Sequence, residues 1–127
     1  MGGGTVIGLG TDIIEIERIR RAIQRERFVS HTFTPQEQAW LETKAKNKAE
    51  SAAGLFCAKE AVAKALGTGF QRGLNLKDIE ITHDALGAPQ VHKPQGNFLL
   101  SISHCREYAT ATAILLGDAQ ETTHEND

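Results

Sequence analysis

Glu50 to Gly69, ESAAGLFCAKEAVAKALGTG, is the stretch on which the fold turns. Ala52, Ala53, Leu55, Ala58, Ala61, Ala63, Ala65 and Leu66 are strong helix formers, so the composition predicts one continuous helix. Ser51 or Glu50 can cap its start, and Gly67 supplies a left-handed residue at its end. Apolar side chains fall on nearly every side, and the helix is expected to be mostly buried. Lys59, Glu60 and Lys64 stand out, with Glu60 and Lys64 one turn apart on one face. That pair reads either as an exposed ion pair worth about 0.2–0.5 kcal/mol, or as part of a divalent-cation site if a second carboxylate comes from elsewhere.

The second carboxylate is available upstream. Thr5 to Ile16, TVIGLGTDIIEI, is β-rich, with Val6, Ile7, Leu9, Ile13 and Ile14 suited to a sheet. Gly8 and Gly10 allow a bend or the close approach of another group. Asp12 is a carboxylate inside an apolar strand, and a buried charge needs a partner, hydrogen bonds or a metal. It reads equally as the N-cap of the helix that follows and as a metal ligand. Glu15 to Phe28 is expected to be that helix, with Ile16, Ile19 and Ile23 as its apolar stripe. Arg18, Arg21 and Arg25 share a face of it, either as a solvated surface or as a dock for an acidic protein or a polyphosphate.

Phe28 to Thr34 is read as a connector with Phe33 packed inward. Thr34-Pro35-Gln36-Glu37 is a helix start with a capping box. Its helix carries Ala39, Trp40 and Leu41, then turns polar through Lys44, Lys46 and Lys48. Gly67 to Gly73, GTGFQRG, follows a helix rather than opening one, so it does not match a P-loop. Asp78 to Asp84 alternates as a half-buried strand, a short strand surrounds Val91, and Phe98 to Ser103 and Tyr108 to Leu116 are two more. His104 falls at a strand end, where it reads as structural or as part of a site. Thr110 and Thr112 alternate with Ala109, Ala111 and Ala113, small residues that let another surface approach. The order predicts an α+β domain with helices against an antiparallel sheet.

At 127 residues the chain is expected to be one domain, 1–127, with residues 1–4 and 119–127 frayed. Its net charge of −2 argues against wholesale nucleic-acid binding, so a charged partner must meet a local patch. Neither a membrane-length apolar run nor a signal-peptide build is visible. Cys57 and Cys105 form no metal-ligand spacing or disulfide framework, which fits a reducing, cytoplasmic setting. Asp12, Glu60 and Lys64, with a basic helix, describe a magnesium-assisted phosphoryl-type transfer. A phosphohydrolase with the same metal pair, or a non-enzymatic module that binds an acidic protein through its arginines, are the alternatives.

Gly8-Leu9-Gly10-Thr11-Asp12-Ile13-Ile14-Glu15-Ile16 resembles the opening motif of the holo-[acyl-carrier-protein] synthases, the short bacterial 4′-phosphopantetheinyl transferases. Phe56 to Gly69 resembles their second motif. Ile79-Glu80-Ile81 with Gly87-Ala88-Pro89, and Ser101 to His104 with Glu107-Tyr108-Ala109, match later segments in order. The likeness spans residues 6 to 116; Cys105 departs from it, standing where a small hydroxyl residue is usual.

The resemblance implies transfer of the 4′-phosphopantetheine arm of coenzyme A to a serine of apo-acyl carrier protein, releasing 3′,5′-ADP, a step of fatty acid biosynthesis. It places Asp12 and Glu60 on the Mg2+ positions and Lys64 beside the coenzyme A diphosphate. Gly67 and Gly69 would lie along the nucleotide and His104 near the coenzyme's phosphates. It also implies a homotrimer with active sites between subunits, and makes Arg18, Arg21 and Arg25 the dock for acyl carrier protein. The nucleophile belongs to the partner, and the general base stays open between a metal-bound water and Glu60 acting through water.

Overall fold

Strand β1 (Val6–Glu15) leads into two short helices, α1 (Ile16–Ala22) and α2 (Glu26–Thr32), and then into α3 (Pro35–Glu42). A 3-10 turn at Ala45–Asn47 delivers the chain to the long helix α4 (Lys48–Ala65). After it come β2 (Glu80–His83), β3 (Pro89–Lys93), β4 (Asn97–His104) and β5 (Tyr108–Leu116). The computed structural model describes residues 4–67 and 73–117. Gly69, most of the glycine-rich loop and nearly all of the two ends expected to fray lie outside the described residues.

The sheet is antiparallel with strand order β1-β5-β4, and β2 and β3 form a separate two-stranded ribbon. Helix α4 lies against one face of the sheet. Its alanines and those of β5 make this possible: Ala52, Ala53, Ala58, Ala61, Ala63, Ala109, Ala111 and Ala113 are all buried. The small side chains at 109, 111 and 113 do let another surface approach, and that surface is the chain's own helix. On β1 the close approach is closer still. A methyl group on Gly8 would fall 1.9 Å from the Ala65 carbonyl oxygen, and one on Gly10 2.0 Å from that of Ala61.

The expected single helix from Glu15 to Phe28 is two helices. Ile23 caps the first, and Arg25 takes an extended conformation (φ −96°, ψ 119°) that begins the second, so the span read as a connector is largely helical. Asn47, not Glu50 or Ser51, precedes α4, which has no side-chain cap. Gly67 does end it, at φ 83°.

The capping box at Thr34–Glu37 forms as read. Glu37 also reaches far beyond its own helix. Its Oε1 accepts from the Thr34 backbone N–H (2.9 Å) and from Lys59 Nζ (2.6 Å), while Oε2 accepts from the Ile81 N–H (2.8 Å). Lys59 Nζ also donates to the Ile79 carbonyl at 2.5 Å, and Thr34 Oγ1 donates to Glu80 Oε2 at 2.6 Å. The Lys59–Glu37 pair is fully buried. Deleting one partner of such a pair strands the other charge and costs about 3–5 kcal/mol.

Candidate active site

Asp12 sits in the middle of β1, not at a helix N-terminus. Glu15 precedes α1, without a side-chain cap. Register with β5 pairs Asp12 with Ala111, and alternation turns Gly8, Gly10, Asp12 and Ile14 toward α4. The Thr110 hydroxyl donates to the Asp12 carbonyl at 2.7 Å and the Thr11 hydroxyl to the Ala111 carbonyl at 3.1 Å, fixing this register. The cap reading of Asp12 is thereby excluded.

From α4, Cys57, Glu60 and Lys64 follow at three- and four-residue steps and face the same strand. Lys64 Nζ donates to the Thr11 carbonyl at 2.9 Å and to Asp12 Oδ1 at 3.3 Å. Among the described ion pairs Lys64 goes to Asp12 rather than to Glu60, so the simple surface pair within one helix is not what forms. Glu60 is half-buried. Its burial and the Asp12 carboxylate hold its pKa above the ordinary value, with Lys64 pulling the other way. The buried Cys57 thiol, which donates to the Ala109 carbonyl at 3.3 Å, is pushed up to about 12 by burial and then by Asp12 and Glu60. Cys57 is thus an inert core residue reporting the negative field beside it.

Two partly desolvated carboxylates with one ammonium, bonded to Asp12 at their edge, leave an excess of negative charge. Among the described residues no group of three or more His, Cys, Asp or Glu side chains gathers into a metal cage. Such a donor set does not suit zinc. It does suit a hard cation that takes one or two protein carboxylates and fills its remaining positions with water and phosphate oxygens.

The other sequence-derived residues fall around this centre. Gly67 follows α4, its N–H donating to the Lys64 carbonyl at 3.0 Å, with open space where a side chain would be. His104, at the end of β4, is exposed and lines a cavity of about 220 Å³ with Trp40, Gly54, His83, Pro89 and Ile102. Glu60 lines a different cavity, of about 640 Å³, with His31, Leu74 and the 75–78 turn. One chain therefore brings Asp12, Glu60 and Lys64 together, while His104 opens elsewhere. Sequence reading missed the wall of the His104 cavity: the Trp40 and His83 rings stack at 3.9 Å and 4°, with Lys44 Nζ 4.6 Å from the Trp40 ring. Only the four-residue step from Trp40 to Lys44 was visible in advance.

Arg18, Arg21 and Arg25 rim a groove of about 400 Å³ floored by Ile14, Phe28 and Phe56. The break between α1 and α2 does not disperse them. Arg20 turns away to Glu17 (2.6 Å) and Glu50 (3.5 Å), and Arg21 lies 3.9 Å from Glu17. Among the described ion pairs Arg18 and Arg25 have no carboxylate partner.

A sequence model of the 4′-phosphopantetheinyl transferase superfamily matches residues 8–113. The holo-[acyl-carrier-protein] synthase of Chlamydia muridarum is 50% identical over 119 residues, covering 86% of this chain and 94% of that protein. That of Fusobacterium nucleatum is 45% identical over 123 residues, covering 87% and 99%. Among solved structures, the Bacillus anthracis holo-(acyl-carrier-protein) synthase in complex with CoA (3′,5′-ADP) superposes with a TM-score of 0.82 at 34% identity, covering 91% of this chain and all of that one. The Helicobacter pylori synthase in complex with coenzyme A gives 0.73 at 30% identity, covering 84% and 98%.

Proposed function

The chain belongs to the holo-[acyl-carrier-protein] synthases of the 4′-phosphopantetheinyl transferase superfamily, and from that premise we propose how its residues carry out the transfer. The chain moves the 4′-phosphopantetheine arm of coenzyme A to a serine of apo-acyl carrier protein and releases 3′,5′-ADP. The observation that carries this reading is the Lys64–Asp12 contact beside Glu60, a constellation built from strand β1 and helix α4, both within the span that matches the superfamily.

Asp12 and Glu60 fit Mg2+, since their mutual repulsion is what a divalent cation offsets. When bound, the ion would neutralise charge on the coenzyme A diphosphate. Lys64, held by Asp12 and the Thr11 carbonyl and half exposed beyond them, aims its ammonium at that diphosphate and stabilises charge developing on the transferred phosphate and the leaving group. The serine proton would leave to Glu60 through a water, or to a water held at the same carboxylate pair. Gly67 and Gly69 leave room for the nucleotide, and His104 contacts the coenzyme's phosphates.

The arginine groove receives acyl carrier protein. Guanidinium groups above an aromatic floor, those of Arg18 and Arg25 without a carboxylate partner among the described ion pairs, suit an acidic amphipathic helix, with charge drawing it in and apolar contact seating it. The assembly is a homotrimer. Its support is the outer face of the sheet, where Leu9, Ile114 and Leu99 pair in a row across three strands, and Leu9, Ile13 and Leu99 are 65%, 65% and 54% exposed. His104, which opens away from Glu60 within one chain, would then reach the coenzyme from a neighbouring copy. Two free cysteines fit a cytoplasmic setting, and no described helix is long and apolar enough to cross a membrane.

A thermal-shift titration with coenzyme A tests the metal reading. Stabilisation by coenzyme A that grows with Mg2+ and is lost in EDTA is expected; stabilisation indifferent to Mg2+ would contradict it.

A further inference from the structure

Lys59 lies next to Glu60 and takes no part in the transfer described above. It is fully buried, and its ammonium ends 2.6 Å from Glu37 Oε1 and 2.5 Å from the Ile79 carbonyl. Burial pulls its pKa down, while Glu37, then Glu80 and Asp78, push it back. We propose that the Lys59–Glu37 pair is a positioning device for the reaction, locking the rotation of α4 so that Glu60 faces Asp12.

On a helix, residues two apart point about 200° from one another. Lys59 and Ala61 are therefore on opposite sides of α4. The Ala61 side is seated on β1, where Gly10 leaves no space even for a methyl group, and Ala65 is seated likewise at Gly8. The Lys59 side is held through Glu37 to the N-terminus of α3 and to the start of β2. Glu60 projects between these two clamps. Ala52, Ala53, Ala58, Ala61, Ala63 and Ala65 supply much of the buried surface of α4, and such short side chains interdigitate little, so packing alone would permit a small helix rotation. A charge-assisted bond with both Glu37 oxygens committed elsewhere has one geometry, so it selects one rotation. The same turn of helix that sets Lys59 then sets Glu60.

The inference rests on the metal reading above, and the test separates the two. The double variant Lys59→Met with Glu37→Gln removes both charges without stranding either, and its single amide oxygen keeps an acceptor for one of the two N–H groups, Thr34 or Ile81, that Glu37 now serves with separate oxygens. The readouts are the Mg2+ midpoint of the coenzyme A thermal shift and the steady-state constants. Loss of a residue that orients a ligand-bearing one typically costs about 10–100-fold. A folded double variant is expected to need at least about tenfold more Mg2+ and to lose kcat by a similar factor, with KM for the carrier protein unchanged. A folded variant with the wild-type Mg2+ midpoint and kcat overturns the proposal, since a pair that only stabilises the fold would lower melting and leave both untouched. If the double variant does not fold, Lys59→Arg, which keeps both charges and changes only the length and shape of the link, is read in the same way, expecting a smaller shift in the same midpoint, and no shift in a folded protein overturns the proposal. A wild-type protein without Mg2+-dependent coenzyme A binding overturns the metal reading and this inference together.

Discussion

Lys64 is bonded to Asp12 across the boundary between helix and strand, 3.3 Å from Oδ1, and not to Glu60 on its own helix. This cross-element contact joins the two halves of the site. It also keeps the ammonium at the edge of the carboxylate pair, where an incoming diphosphate can meet it.

Lys64→Ala should therefore leave the fold intact while lowering kcat. Removal of a preorganised charge or donor of this kind costs about 10²–10³-fold in kcat. Steady-state kinetics with coenzyme A and carrier protein check this; a kcat within a few-fold of wild type would remove Lys64 from the chemistry.

Gly10→Ala tests the close approach of the two elements. The added methyl would meet backbone atoms of Ala61 and Ala65 at 2.0 and 2.8 Å, and neither can swing aside. Overpacking of this type costs about 1–3 kcal/mol. The variant is expected to melt lower and to lose activity beyond its folded fraction, because strand and helix separate where Asp12 and Glu60 meet. Equal melting temperatures would contradict the packing described.

The raised pKa of Glu60 gives a stability prediction. Because its folded pKa lies above the ordinary 4.5, the native state holds the extra proton between that value and the folded pKa. The associated stability is present at low pH and is lost as pH rises through the folded pKa. At neutral pH without divalent cations, Glu60→Gln should melt above the wild type, and the gap should close as pH falls toward 4.5. Added Mg2+ with coenzyme A should stabilise only the wild type. Melting curves in EDTA at the two pH values decide it; a less stable Gln variant at neutral pH would contradict the assignment.

Reversal of Arg18 and Arg21 to Glu should raise KM for the carrier protein and leave that for coenzyme A nearly unchanged. The wild-type association should also weaken with salt. Equal effects on both substrates would remove the docking role from the groove.

Much of this site could be read directly from the residues, and what could not has physical causes. Gly67 as a helix terminator and Thr34–Glu37 as a capping box rest on local backbone chemistry, which sequence carries well. The break between α1 and α2 was not visible because Ile16, Ile19 and Ile23 keep an unbroken stripe and no glycine or proline interrupts it. Asp12 stayed ambiguous between cap and ligand until pairing with Ala111 fixed which face it shows. The alanines of β5 announced a close approach but not by what; only the fold shows that α4 fills the space. Glu37 and Lys59, or Trp40 and His83, are far apart in the chain, and no periodicity links them.

The most direct test is the intact mass of apo-acyl carrier protein after incubation with this chain, coenzyme A and Mg2+. One 4′-phosphopantetheine arm should be added, EDTA should prevent it, and Asp12→Ala and Glu60→Ala proteins that fold normally should fail to add it. An unmodified carrier protein with free phosphopantetheine released, or full modification by the Glu60→Ala protein, would contradict a transfer run by the carboxylate pair.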